Sequence, residues 1–217
     1  RIFVPDSWKE PASFYRTNVQ GTNNVLNYCR ENGASMIYIS SYVYGAPEYL
    51  PIDEKHPLSA NNPYMHSKLL AESLCRFYAE HYGMNVSILR PFNLFGPNQG
   101  GHLLIPSLIT QILDPSKKVV SVKDLNPKRD YIYIDNLLDA MMTLLQKHTG
   151  FCIYNVGSGH SYSVGEVIEL LMELSGIRKE IRSREEERQN EIMDVRADIN
   201  RIREEIGQGG FDEESLL

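Results

Sequence analysis

Tyr64 and Lys68 are the residues whose types and spacing most directly suggest chemistry, because of the thirteen tyrosines only Tyr64 has a lysine four positions later. On a helix, positions i and i+4 share a face, so the Lys68 ammonium is brought near the Tyr64 phenol. A free tyrosine titrates near ~10, and a neighbouring cation favours its phenolate, a tenfold change in that equilibrium being worth about 1.4 kcal/mol. The pair therefore reads as a tunable acid and base. Ser40 closes a short apolar run, Met36 to Ile39, that suits a buried strand. A hydroxyl at the mouth of that strand can hydrogen-bond the same substrate oxygen that Tyr64 deprotonates, so two groups converge on one carbinol.

These residues need elements to hold them. Apolar residues at mixed three- and four-residue steps predict a helix over 13–32, stopped by Gly33. The run 36–40 predicts a strand buried on both faces. The stretch 46–63 is rich in Pro, Asp and Asn and predicts a loop, with Asn62-Pro63 as N-cap and first residue of a helix over 63–82. A second buried strand is expected over 85–90, closed by Pro91 and a loop over 92–101 dense in Gly, Pro and Asn. Further helices are expected over 102–113, 135–147, 163–175 and 198–206, and strands over 118–122 and 152–156. Ser163-Val-Gly-Glu166 is a capping-box signature, and Asp198 is the expected cap of the last helix. Strands alternating with long helices define the α/β class, a doubly wound parallel sheet covered on both faces. No internal repeat is present.

The 217 residues, 42% apolar and 23% charged, suffice for one sizeable core or a core plus a small lobe. A net charge of −6 argues against nucleic-acid binding, which needs a basic face, so an anionic ligand must be held by local arginines. Cys29, Cys75 and Cys152 lie far apart in apolar stretches, with spacing suited neither to a metal site nor to a disulfide framework, and read as reduced thiols. No long apolar run or charged leader is visible, and a soluble, cytoplasmic protein is expected. The crowded charges between Arg178 and Glu205, including Arg184-Glu-Glu-Glu-Arg188, read mainly as solvated surface.

Three segments in order, Ser40-Ser-Tyr-Val-Tyr-Gly45, Tyr64-Met-His-Ser-Lys68 and Arg90-Pro-Phe-Asn-Leu-Phe-Gly-Pro97, resemble the extended short-chain dehydrogenases of the NAD-dependent epimerase/dehydratase family. Asn18-Val-Gln-Gly-Thr22, Lys128-Arg-Asp-Tyr-Ile-Tyr-Ile-Asp135, Tyr154-Asn-Val-Gly-Ser-Gly159, Arg188-Gln-Asn-Glu191 and Ala197-Asp198 extend the resemblance over nearly the whole chain. It implies a Rossmann-type domain over 1–95 and a smaller, mainly substrate-binding lobe over 96–217, with some segments returning to the first. It also implies NAD, or NADP, as cofactor and a nucleotide diphosphate sugar as substrate. Carried over by position, Tyr64 is the acid and base, Lys68 holds the nicotinamide ribose and tunes Tyr64, and Ser40 orients the sugar hydroxyl. Pro91 and Asn18 fall on the cofactor side, Asn18 as a buried asparagine near the site. Asn93, Arg129 and Arg188 match positions that grip the diphosphate, and Leu104 and Val122 line the substrate. Two arginines suit two adjacent phosphates, since a guanidinium meets phosphate oxygens bidentately.

The family's glycine-rich cofactor turn is absent from the sequence, and Gly157-Ser-Gly159 stands too late to replace it. The chain begins at Arg1-Ile-Phe-Val, in mid-architecture, and an amino-terminal piece ahead of Arg1 is the expectation that goes with the cofactor. The tail departs too, with Gly207-Gln-Gly-Gly-Phe211 where the pattern has an aromatic and a proline. Where the family's sugar 4,6-dehydratases carry a carboxylate after the strand-end hydroxyl, this chain has Ser41 and Tyr42. Neither is a matched acid for expelling water, so 4-epimerisation is favoured, with reduction of a 4-keto-6-deoxy sugar nucleotide as the near alternative and dehydration behind it. A non-catalytic binding member of the fold is the reading from another class, which fold alone does not exclude. The resemblance also implies a homodimer built on the helices 13–32 and 63–82, where Leu70, Leu74, Phe77 and Tyr78 form an apolar stripe that core packing explains equally well.

Overall fold

The computed structural model describes residues 1–147, 150–185 and 191–207. A short helix α1 (Val4–Lys9) leads into a continuous helical run made of α2 (Pro11–Phe14), a π-helical segment (Tyr15–Gln20) and α3 (Gly21–Glu31). Strand β1 (Met36–Ile39) and a long loop precede α4 (Pro63–Tyr82), β2 (Val86–Pro91) and the short β3 (Asn93–Phe95). Then come α5 (Leu104–Leu113), β4 (Val119–Val122), β5 (Lys128–Arg129), β6 (Tyr131–Tyr133) and α6 (Ile134–Lys147). The chain continues through β7 (Phe151–Val156), β8 (Tyr162–Ser163), α7 (Val164–Ser175), β9 (Glu180–Ser183) and α8 (Asn200–Ile206).

The main sheet is parallel, in the order β1-β2-β7, with Tyr38 opposite Ile88 and Ile88 opposite Ile153. Parallel neighbours need crossover connections, and helices supply them, which covers both faces. On one face α3 and α4 bury Leu26, Ala71 and Cys75 against Val86 and Ile88. On the other, α6 and α8 bury Leu137, Leu144 and Ile202 against Leu89, Tyr154 and Val156. A second core forms where α5 and α7 meet β4, around Leu108, Ile112, Val120, Ile168 and Met172. Each such fully buried aliphatic side chain contributes about 1.5–3 kcal/mol.

The helix over 63–82 starts where the sequence says, with Asn62 Oδ1 accepting from the Met65 N–H at 2.9 Å and Pro63 in the first turn. The capping box of α7 is equally in place, Ser163 and Glu166 each accepting from the other's backbone N–H. Four expectations are corrected or refined. Strand β1 meets both cores, Met36 and Tyr38 packing with one and Ile37 and Ile39 against the other, but only Tyr38 is buried and the other three are half-buried. The helix over 13–32 begins earlier and carries the π segment. Asp198 caps α8 from one residue ahead of the N-cap position, which Ile199 holds: its carboxylate accepts from the N–H of Asn200, the first residue of the helix, at 2.9 Å. Within the charged carboxyl-terminal region, β9 pairs in parallel with β4 and turns Ile181 toward the second core. Arg188 and the tail after Gly207 lie outside the described residues. Among the described residues no helix is long and apolar enough to cross a membrane.

Candidate active site

Ser40 directly follows the last residue of β1, and its backbone N–H still donates to Leu89 O at 2.7 Å, so the strand pairing fixes its place. Tyr64 sits in the first turn of α4, one residue past Pro63, and the Asn62 cap sets the angle at which that turn begins. Its ring is buried, packing edge-on against Phe14 with centroids 6.3 Å apart. Both residues, with Ser41, line a cleft of about 790 Å³ between the main sheet and the second core.

Asn18 braces this turn from behind. Its amide donates to Ser67 Oγ at 2.9 Å, and Ser67 Oγ donates to the Tyr64 carbonyl at 2.7 Å. Asn18 lies in the π segment, a distortion that is frequent at functional sites. The Lys68 ammonium stands behind as well. It donates to Ile39 O at 2.8 Å and lies 5.0 Å from the centre of the Tyr38 ring. Neither Asn18 nor Lys68 lines the cleft, so their contact with it runs through Tyr64, Ser67 and the end of β1.

The electrostatics differ from the expectation of an acidified phenol. Burial raises the Tyr64 pKa above its ordinary value, and a hydrogen bond from Ser41 opposes the rise. Burial also pulls the Lys68 ammonium down to about 8, with Glu72 opposing. Each group is therefore held closer to its neutral form.

In the same cleft, Asn93 on β3 donates to Asp130 O at 3.1 Å, and Pro91, Leu104 and Val122 form part of the wall. Arg129 on β5 also lines it. Its guanidinium donates to Ile192 O at 2.6 Å and Lys128 O at 2.8 Å, and forms an ion pair with Glu191, itself a cleft residue. Arg129 is thus a half-buried arginine that already holds one carboxylate. The structure thus brings together all the sequence-predicted site residues it describes except Lys68 and Asn18, which sit one layer back.

Sequence reasoning missed a buried polar chain behind Ser40. Glu72 on α4 accepts from Ser40 Oγ at 2.5 Å and from Arg90 Nε at 3.0 Å, while Arg90 Nη2 meets its other oxygen at 2.5 Å. Arg90 Nη1 donates to the Tyr44 hydroxyl at 2.9 Å, which donates to Asn155 Oδ1 at 2.5 Å. A signal existed: Glu72 falls one further helical step from Lys68, and Arg90 is a lone charge in a strand that is otherwise buried throughout.

A doubly covered parallel sheet, with a strand-end serine facing a tyrosine and a lysine one helical turn beyond it, defines the extended short-chain dehydrogenase class. The chain belongs to the NAD dependent epimerase/dehydratase family, whose model matches residues 2–157. It is 35% identical over 190 residues to a GDP-6-deoxy-D-mannose reductase of Pseudomonas aeruginosa, covering 83% of this chain and 62% of that relative. It is 30% identical over 207 residues to a putative UDP-glucose 4-epimerase of Methanocaldococcus jannaschii, covering 93% of this chain and 67% of that relative. Among solved structures, RMD from Pseudomonas aeruginosa complexed with NADPH superposes with a TM-score of 0.87 at 33% identity, over 95% of this chain and 72% of the other. The chain thus spans about two thirds of the length of proteins it resembles.

Proposed function

We propose that this chain carries the proton-transfer and sugar-binding parts of an enzyme that moves hydride to and from one carbon of a nucleotide diphosphate sugar, and that the reaction is 4-epimerisation. The observation that carries the reading is that one cleft is lined by Ser40 and Tyr64 together with Asn93 and Arg129. The first pair addresses a carbinol, the second an anion. Arg188, outside the described residues, completes the anion grip in this proposal.

The residues present fit the nicotinamide end of NAD or NADP: Lys68 carries a buried ammonium one layer behind the cleft, on the carbonyl just before Ser40, with Tyr64 and Pro91 along the wall. No residue of the sequence supplies the glycine-rich cradle for the cofactor's phosphates. When bound, the cofactor supplies the hydride acceptor and donor, and its positive charge favours an ionised phenol. Tyr64 then takes the proton of the sugar hydroxyl and returns it to the keto oxygen, with Ser40 holding that oxygen in line. Epimerisation further requires the keto sugar to present its other face. Binding held mainly through the diphosphate leaves the sugar free to turn.

Reduction of a 4-keto-6-deoxy sugar nucleotide is the second reading, favoured by the 35% identity to a protein named as a GDP-6-deoxy-D-mannose reductase and by the likeness to a structure with NADPH. Dehydration is disfavoured because the Tyr42 hydroxyl is spent on Gly45 O and burial pushes its pKa up to about 12, while Ser41 is an alcohol. A non-catalytic role is disfavoured by the intact Ser40, Tyr64 and Lys68. The natural full-length protein, given a panel of UDP-, GDP- and dTDP-sugars, is expected to form a sugar isomer with cofactor absorbance unchanged. Stoichiometric loss of NADPH assigns the reductase instead, and absence of both excludes the proposal.

The assembly proposed is a cytoplasmic homodimer through α3 and α4. Val25, Tyr28, Leu70, Phe77 and Tyr82 on these helices are exposed, whereas Leu74 and Tyr78 of the expected stripe pack against the core. Sedimentation of a monomer at micromolar concentration removes the dimer.

A further inference from the structure

We propose that Gln111 is a specificity-determining residue that donates a hydrogen bond to an exocyclic carbonyl of the ligand's nucleobase, so that the cleft takes nucleotides of uracil, thymine or guanine and rejects those of cytosine and adenine. The inference rests on the sugar-nucleotide reading of the cleft and deepens it by naming the class of base.

A sugar nucleotide has three parts, and that reading assigns two of them: the sugar to Ser40 and Tyr64, the diphosphate to Asn93 and Arg129. The base falls to cleft residues that serve neither. Helix α5 contributes Leu104, Ser107, Leu108 and Gln111 to the lining, a spacing of three, four and seven that defines one helix face, and the end of β4 adds Ser121 and Val122. Leu104, Leu108 and Val122 offer apolar walls to the faces of a planar ring, which leaves the polar groups for its edge.

The backbone of β4 dictates how the Gln111 carboxamide is turned. The Ser121 N–H can only donate, and it meets the Gln111 side-chain oxygen at 2.8 Å. A flipped amide would set N–H against N–H, so this contact settles which atom is oxygen and which nitrogen. The nitrogen carries two hydrogens, and among the described residues its one hydrogen-bond partner is Ser107 Oγ, at a long 3.4 Å. What Gln111 holds out to a ligand is therefore a donor.

A keto oxygen, as at C4 of uracil or C6 of guanine, accepts from that donor. An amino group in the same place sets hydrogens against hydrogens, and both groups lose water without gaining a partner. Gln111 cannot turn over to suit it, because rotation would strip the Ser121 N–H of its acceptor.

The test titrates nucleoside diphosphates into the natural full-length protein in matched pairs, UDP against CDP and GDP against ADP. In at least one pair the keto member is expected to bind about fivefold tighter or more. A smaller ratio in both pairs, tighter binding of an amino member, or no binding of any of the four overturns the proposal. Turnover of a sugar nucleotide by the same preparation keeps the hydride-transfer reading intact in each of those cases, and with turnover absent both fall. Gln111→Glu keeps an oxygen for Ser121 and replaces the donor by an acceptor. Its charge weakens every diphosphate alike, so the ratio within a pair is the readout, and it is expected to drop to about one or to invert. A ratio equal to that of the wild type assigns Gln111 to joining α5 and β4 and overturns its role in reading the base. If Gln111→Glu fails to fold, Gln111→Leu is expected to bring the ratio to about one, and an unchanged ratio there overturns the proposal equally.

Discussion

The Lys68 ammonium donates to the Ile39 carbonyl at 2.8 Å, tying α4 to the end of β1 one residue before Ser40. This bond holds the cation in place while burial lowers its pKa from 10.5 to about 8. Between those two values the unfolded chain binds more protons than the folded one, so stability rises with pH across that window. Below pH 8 the cost of the buried charge is present in full. Lys68→Met is therefore expected to compare best with the wild type near pH 7, and to lose ground steadily up to about pH 10.5. Thermal melting of both proteins across that range checks it, and a difference independent of pH contradicts it.

Tyr64→Phe keeps the ring that packs against Phe14 and removes only the phenol oxygen. Turnover of the full-length protein is expected to fall by about 10²–10⁴-fold, with sugar-nucleotide affinity by calorimetry essentially retained. Turnover near that of the wild type removes Tyr64 from the acid-base role.

For Arg129, the pairing with Glu191 matters, because an incoming diphosphate meets a cation already partly neutralised. Arg129→Ala is expected to weaken sugar-nucleotide binding, and to weaken it more in ~10 mM salt than in ~500 mM, where the screening length shrinks to a few ångströms. Titrations in the two buffers measure this. A loss of the same size in both assigns Arg129 to packing rather than to phosphate.

The parts of this architecture that were legible are those written locally. Asn62-Pro63 and Ser163-Val-Gly-Glu166 place the starts of α4 and α7 because cap chemistry depends on residues within one turn. The pairing of Tyr64 with Ser40 in one cleft was legible from a strand end and a helix start. What escaped depends on contacts between distant segments. Strands β3, β5 and β6 span only two or three residues each, too few to show a period. The π segment around Asn18 leaves no spacing signature. The charge on Arg90 finds its reason in Glu72, on a different element, and the rise that burial gives the Tyr64 pKa escaped because a helical step fixes spacing to Lys68 but not depth of burial.

Two glycines make opposite predictions from the same chemical change. At Gly157 a methyl group would stand 2.7 Å from Asp130 Oδ2 and 2.8 Å from Ala197 Cβ. Asp130 cannot yield, since its carboxylate receives the N–H groups of Ser158, Gly159 and Ala197 at 2.7, 3.1 and 3.0 Å, joining the turn after β7 to the segment before α8. Gly157→Ala is therefore expected to destabilise by about 1–3 kcal/mol. At Gly21, in the first turn of α3, the added methyl would meet nothing within 4 Å, and the backbone is already helical. Gly21→Ala is expected to stabilise by roughly 0.5–1 kcal/mol, by restricting the unfolded chain. Urea unfolding of both variants beside the wild type checks the pair. Shifts of the same sign refute the account of Asp130 as a fixed anchor between the two segments.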